Sequence, residues 1–259
     1  MSTRPAAVAG LFYPAETRHL ERTVAALLAA APAHDIHAKA IIAPHAGYPY
    51  SGPTAAHAYR LLEARRAVIR RVVLLGPAHR VYLEGMALPS VDAFTTPLGD
   101  VPVDKGAVRQ ALALPGMQVS DDAHAFEHSL EVHLPFLQTV LDDFKLVPIV
   151  VGACPAHEVE VVIEALWGGD ETLIVVSSDL SHYHAYADAR DIDASTSARI
   201  EALETTIASD EACGAHALNG LLLAAKAKGL EVHALDLRNS GDTAGDRHRV
   251  VGYGAYALG

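Results

Sequence analysis

Short runs rich in Val and Ile and nearly free of charge recur along the chain, at 40–43, 72–75, 86–88, 146–151, 173–176, 232–237 and 250–258. Runs of this kind suit strands buried on both faces, which need a layer of helix on each side to cover them. Helical patterns fill the intervals: 16–31, Ala- and Leu-rich and stopped by Pro32; 53–64, opening on a proline; 159–167; 188–207; and 210–228, with Asp210 as a candidate N-cap and Gly229 as the stop. The alternation predicts an α/β fold, a central mixed, mostly parallel sheet flanked by helices. Residues 93–104 read as two extended pieces around Gly99-Asp100, a hairpin added to that sheet. No repeat, Gly/Ser linker or block of charge divides the chain, so a single domain over 1–259 is expected.

Composition narrows the partners. Hydrophobic residues make up 51% and charged residues 20%, which excludes intrinsic disorder. Lys plus Arg number 20 against 31 Asp plus Glu, a net charge of −11 that repels phosphate backbones and anionic lipid. Neither nucleic acid nor a membrane is an expected partner. The two cysteines, Cys154 and Cys213, form no CxxC pair, which fits a reducing cytoplasm. The first residues lack the apolar stretch of a signal peptide, and no apolar run reaches the roughly 18 residues of a membrane span. A cytoplasmic location is expected.

In open α/β sheets, ligands collect where the carboxyl ends of strands release the chain into loops. Three apolar runs here deliver histidine to such a point: Ile41 to His45, Val72 to His79, and Leu173 to Asp179 and His182. A fourth, 232–237, leads into Asp242 and Thr243. Pro44 and Gly76-Pro77 stiffen the turns before His45 and His79, as preorganised ligands require. Two imidazoles and one carboxylate make the facial triad of non-haem Fe(II), and the same donors suit zinc or manganese. His45, His79 and Asp242 are the expected ligands. His182 is left as the acid or base, with Asp179 orienting it or a neighbouring histidine, or capping a following helix.

Glu127-His-Ser-Leu-Glu131, running on to His133, forms one further cluster. On a helix, Glu127 and Glu131 share a face, as do His128 and Glu131, and the stripe is expected to line the pocket. Cys213 reads as structural rather than nucleophilic. Dinucleotide, P-loop, esterase-elbow and HExxH motifs are all missing, so nucleotide, esterase and zincin readings have no anchor.

Taken together, Ala9-Gly-Leu-Phe-Tyr13, Ala43-Pro-His-Ala-Gly-Tyr48 with Tyr50, Gly76-Pro-Ala-His79, Glu127 to Glu131 with His133-Leu-Pro135, Ser177 to His182 and Asn239-Ser-Gly-Asp242 resemble the Memo family. That family includes the B component of the bacterial and archaeal AmmeMemoRadiSam set and is similar in fold to LigB-type extradiol dioxygenases, whose iron is held by two histidines and a glutamate. The resemblance implies a site on His45, His79 and His182 with a donor from the last loop. In the animal branch that donor is a cysteine, with iron or copper attributed to the site. Here the loop offers Asp242 or Thr243. Phe12, Tyr13 and Tyr50 match aromatic positions lining the family's pocket.

Three functions follow. The first is a metal-dependent oxidoreductase with non-haem Fe(II), or else copper or zinc, acting on a small aromatic molecule with His182 moving the proton. The second is a non-catalytic protein using the same pocket for a small molecule, a peptide or a partner from the AmmeMemoRadiSam set, the animal protein being described as a phosphotyrosine-peptide binder. The third is zinc-dependent hydrolysis.

Overall fold

Each apolar run becomes a strand in the computed structural model, which describes residues 2–259. In chain order, β1 (Thr3–Arg4) and α1 (Thr17–Ala30) lead to β2 (Ala40–Ala43), α2 (Tyr48–Arg60) and β3 (Arg71–Pro77). Next come β4 (Met86–Leu88), β5 (Ala93–Thr96), β6 (Gly99–Pro102), α3 (Lys105–Ala111), β7 (Met117–Val119), α4 (Asp121–Ala125), α5 (Leu134–Val140) and β8 (Lys145–Val151). The remainder holds α6 (Ala156–Ala165), β9 (Thr172–Ser177), β10 (His182–His184), α7 (Tyr186–Glu201), α8 (Ala215–Lys228), β11 (Val232–Asn239) and β12 (Val250–Leu258). Single 3-10 turns occupy Leu61–Arg65, Glu131–His133 and Ser240–Asp242.

The centre of the main sheet is parallel, in the order β2-β9-β3-β8, with Ile41 beside Val175, and Val73 between Ile174 and Val147. Every residue of β2 and β9 is buried, as the uninterrupted apolar runs require. Antiparallel strands close the flanks: β12 against β2, with β10 and β11 beyond, and β4 against β8, with β7 outermost. Helices α1, α2 and α5 pack together as one layer and α6 with α8 as another. In α1 the buried Leu20, Val24 and Leu28 recur every four residues, and the Glu16 carboxylate caps the helix by accepting from Arg18 N and His19 N. The buried apolar side chains form one continuous core from Val8 to Leu258.

Three local expectations are corrected. Strands β5 and β6 do form an antiparallel hairpin, but it turns at Pro97-Leu98, and it pairs with β1 in a separate three-stranded sheet. Helix α2 starts at Tyr48, five residues ahead of Pro53, because Pro49 fits the first turn and Pro53 falls within the helix near its start. Helix α8 starts at Ala215 with Gly214 as N-cap, not at Asp210, because Cys213 and Gly214 are drawn against the end of β9: Cys213 N donates to Asp179 O (3.2 Å) and Gly214 N to Ser178 Oγ (2.9 Å).

The N-terminal strand is fixed by a buried ion pair. Arg4 Nη1 donates to Glu131 Oε2, Arg4 Nη2 to Glu127 O (2.5 Å) and Arg4 Nε to His124 O (3.0 Å). The Glu131 carboxylate also accepts from Ala7 N (2.8 Å), Val8 N (3.0 Å) and Tyr13 Oη (2.5 Å), so no lone pair of a fully buried charge is wasted. Removing Arg4 strands that charge. Arg4→Met is expected to lower the unfolding free energy by about 3–5 kcal/mol in denaturant titrations, with Arg4→Met/Glu131→Gln recovering part of the loss.

Candidate metal centre

The carboxyl ends of β2, β3 and β9 open on the same edge of the sheet, and His45, His79 and Asp179 leave them within two residues. They border a cavity of about 680 Å3 together with Phe12, His128, His182, Tyr183 and Cys213. Ligand atoms of His45, His79 and His128 all lie within 4.8 Å of one another, the one such group of three among the described residues. The turn carrying His128 approaches β3 closely, with Ser129 Oγ donating to Pro77 O (2.8 Å). A side chain at Gly76 would collide with Leu130 and Ser129, its Cβ coming within 2.8 Å of Leu130 Cδ2.

Hydrogen bonds fix the ring tautomers. Ser177 Oγ lies 2.6 Å from His45 Nδ1 and 2.8 Å from His133 Nε2, and its single proton goes to Ser129 O (2.6 Å). Both imidazoles must therefore donate to it, which leaves the Nε2 lone pair of His45 free. His133 takes its remaining bond from Tyr59 Oη (2.6 Å). Glu127 does the same for His79: it accepts from His79 Nδ1 (3.0 Å), His79 N (2.5 Å), His128 N (2.9 Å) and Ser129 N (2.9 Å). Burial opposes its ionisation, but the bonds from His79 and the neighbouring amides outweigh it and hold the Glu127 carboxyl down to about 2. A carboxylate orienting a ligating imidazole is the usual outer support of a metal centre.

His45 and His128 are neutral where they would ligate. Burial first, and the adjacent imidazoles second, hold His45 well below the ordinary histidine range, and burial takes His128 to about 4. Three imidazole nitrogen donors around one point suit a borderline transition ion. The residues present thus fit a transition-metal ion.

The third member of the group differs from expectation. Asp242 lies outside the group: its carboxylate accepts from Tyr186 Oη (2.5 Å) and from Asn239 N (3.0 Å), closing a capping box on the turn after β11. Thr243 donates to Ser240 O (3.2 Å), away from the cavity lining. His128 occupies the place instead. The segment 126–130 is a turn between α4 and the 3-10 turn, not one helical face, so Glu127 and Glu131 part company: Glu127 faces His79, while Glu131 faces the N-terminal segment. Asp179 spends one carboxylate oxygen on His45 N (2.8 Å), positioning that backbone rather than His182; burial pushes its carboxyl up to about 7. His182 lines the cavity without joining the trio. Phe12 packs on His128 at 4.8 Å between ring centroids; Tyr13 is spent on Glu131, and Tyr50 lies outside the lining. Ser177, His133 and Cys213 were not anticipated in these roles. The Glu127–His133 run held the signal for His133, but the partner of His133 lies 44 residues farther along.

Comparisons with known proteins identify the family. The family model for Memo-like proteins matches residues 4–257. A MEMO1 family protein of Aquifex aeolicus is 37% identical over 98% of both chains, and one of Archaeoglobus fulgidus 38% identical over 95% of both. The chain belongs to the Memo family. A crystal structure of an uncharacterized protein from Escherichia coli K12 shares the Memo chain's fold, with a TM-score of 0.55 over 84% of this chain and 98% of that one; at 13% identity the likeness is of fold alone. No helix of this Memo protein is long and apolar enough to cross a membrane among the described residues.

Burial of neutral imidazoles predicts acid sensitivity. His128 and His124 titrate at about 4 and His133 at about 3 when folded, against the ordinary 6.5. Between about pH 6.5 and pH 4 the unfolded chain therefore binds more protons at these three groups, and stability falls as pH falls. Asp179, raised to about 7, acts in the opposite sense as one group against three. Unfolding free energies from urea titrations are expected to decline through that window, less steeply in His128→Gln; a flat wild-type profile would contradict the neutral buried trio.

Proposed function

We propose that this Memo protein is a metal-dependent oxidoreductase acting on a small aromatic molecule, its ion held by His45, His79 and His128. The convergence of those three ligand atoms on one cavity carries the reading. With Asp242 elsewhere, the donor set is three imidazoles and not a facial triad; Fe(II) remains our first choice, with copper or zinc as the alternatives. Such an ion would supply an open face for dioxygen and an electron-rich ring. The protein's own part is to position and to move protons. Phe12 and Tyr183 offer apolar walls for a planar ligand. Burial keeps His182 below the ordinary histidine range, neutral at pH 7 and able to accept a hydroxyl proton at a ring nitrogen. Glu127 balances part of the ion's charge through His79.

A second reading, a binding role for a peptide or for another protein of the AmmeMemoRadiSam set, is favoured by the rim. The most exposed large apolar side chains, Tyr82 (84%), Leu11 (80%), Phe126 (73%) and Tyr183 (63%), either line the cavity or lie within two residues of a side chain that does. Partner surfaces concentrate exposed aromatics in this way.

Anaerobic Fe(II) titration by calorimetry tests the first step. One equivalent is expected to bind, weakened at least about tenfold in His45→Ala, His79→Ala and His128→Ala and unchanged in Asp242→Ala. Oxygen uptake by the iron-loaded protein across a panel of catechols tests the second; iron bound with no uptake anywhere on the panel would move the assignment to the binding role, and hydrolysis by zinc-loaded protein alone would move it to a hydrolase.

A further inference from the structure

The last loop of this chain carries no cysteine, yet a thiol reaches the cavity from another direction. Cys213, in the turn before α8, has its Sγ 3.4 Å from His45 Nε2, the nitrogen left free by the bond of Nδ1 to Ser177. The placement is built. Cys213 N donates to Asp179 O (3.2 Å), Gly214 N to Ser178 Oγ (2.9 Å), and Asp179 N donates to Cys213 Sγ itself (3.3 Å). A Cβ on Gly214 would come within 2.4 Å of Ser177 O, so only glycine lets this turn sit so close to the end of β9. The Asp179 N–H aimed at sulfur favours the anionic form that ligates metals, but burial and the Asp179 carboxyl outweigh it and hold the thiol well above the ordinary cysteine range, so an ion must displace the proton.

The separation of this pair suits two donors on one ion, although Cys213 Sγ stands outside the group in which the ligand atoms of His45, His79 and His128 lie within 4.8 Å of one another, so ligation requires the ion to draw the thiol in. A nitrogen at about 2.1 Å and a sulfur at about 2.3 Å from a tetrahedral centre stand about 3.6 Å apart. We propose that Cys213 is a fourth donor to the ion held by His45, His79 and His128, so that the loaded centre contains one metal–thiolate bond. The inference rests on the three-histidine reading and adds a residue to it. As the bond forms the S–H bond breaks, the proton leaves through the cavity to solvent, and no electron is transferred. A thiolate contributes the negative charge that Asp242 does not, and it selects for ions that accept soft donors. On a six-coordinate iron four protein donors leave positions for substrate; on tetrahedral zinc they close the centre.

Cobalt(II) added under argon to the full chain provides the test, because thiolate ligation gives it an intense near-ultraviolet charge-transfer absorption that imidazole ligation lacks. Wild-type protein and Cys154→Ala are expected to show that band together with the visible cobalt bands. Cys213→Ser is expected to keep the visible bands and lose the charge-transfer band. A wild-type spectrum with visible bands alone, or a charge-transfer band that survives in Cys213→Ser, overturns the proposal. Absence of any cobalt spectrum in the wild type overturns the three-histidine reading and this one with it. A second readout needs no variant: cobalt should slow the alkylation of Cys213 by iodoacetamide in the folded wild type, and an unchanged rate counts against ligation.

Discussion

One hydroxyl settles the chemistry of this centre. Ser177 ends the innermost run of the sheet, and its Oγ has a single proton, which it gives to Ser129 O. Every other group it touches must donate. His45 and His133 are thereby fixed in complementary tautomers, and the only nitrogen left uncommitted between them is His45 Nε2, which faces the cavity. Because Ser177, Ser129 and His45 are all buried, no water competes for these bonds, and the arrangement is far stiffer than the same groups would be at a surface. Glu127 performs the equivalent duty for His79, and the two supports together explain how the rings are aimed.

The carboxylates show how evenly the buried charge is distributed. Glu131 is absorbed by Arg4 and three further donors, Glu127 by His79 and backbone amides, and Asp179 in part by His45 N. Glu127 and Glu131 have no oxygen to spare for a metal, while Asp179 keeps one at the cavity wall. An ion carried by the three imidazoles and Cys213 would meet one negative donor in the thiolate and find further countercharge in Glu127, reached through His79.

The layered fold was plain in the sequence because strands buried on both faces leave an uninterrupted apolar signature; 40–43, 86–88 and 250–258 coincide with β2, β4 and β12 to the residue. The loops carrying His45, His79 and His182 were legible for the same reason, since parallel strands all release their chains on one edge. Asp242 misled because a carboxylate in a turn is as well suited to capping as to ligation, and Asn239 N with Tyr186 Oη claims it. The 127–131 run has helical spacing, but its backbone turns, and spacing cannot distinguish a helical face from a turn that splits it. Cys213 was invisible as a site residue because its nearest partners, at 45 and 178–179, lie far away along the chain and meet it only once α8 docks.

That long-range pairing has a consequence for biogenesis. The strand that presents His45 finds its two neighbours in β9 and β12, both more than half the chain farther on. During synthesis β2 therefore emerges apolar and edge-exposed, with one flank open until β9 is made and the other until β12. The cavity bordered by His45, His79 and Asp179 is accordingly assembled only once β9 has joined β2 and β3, and nascent chains are the stage at which a chaperone would matter most.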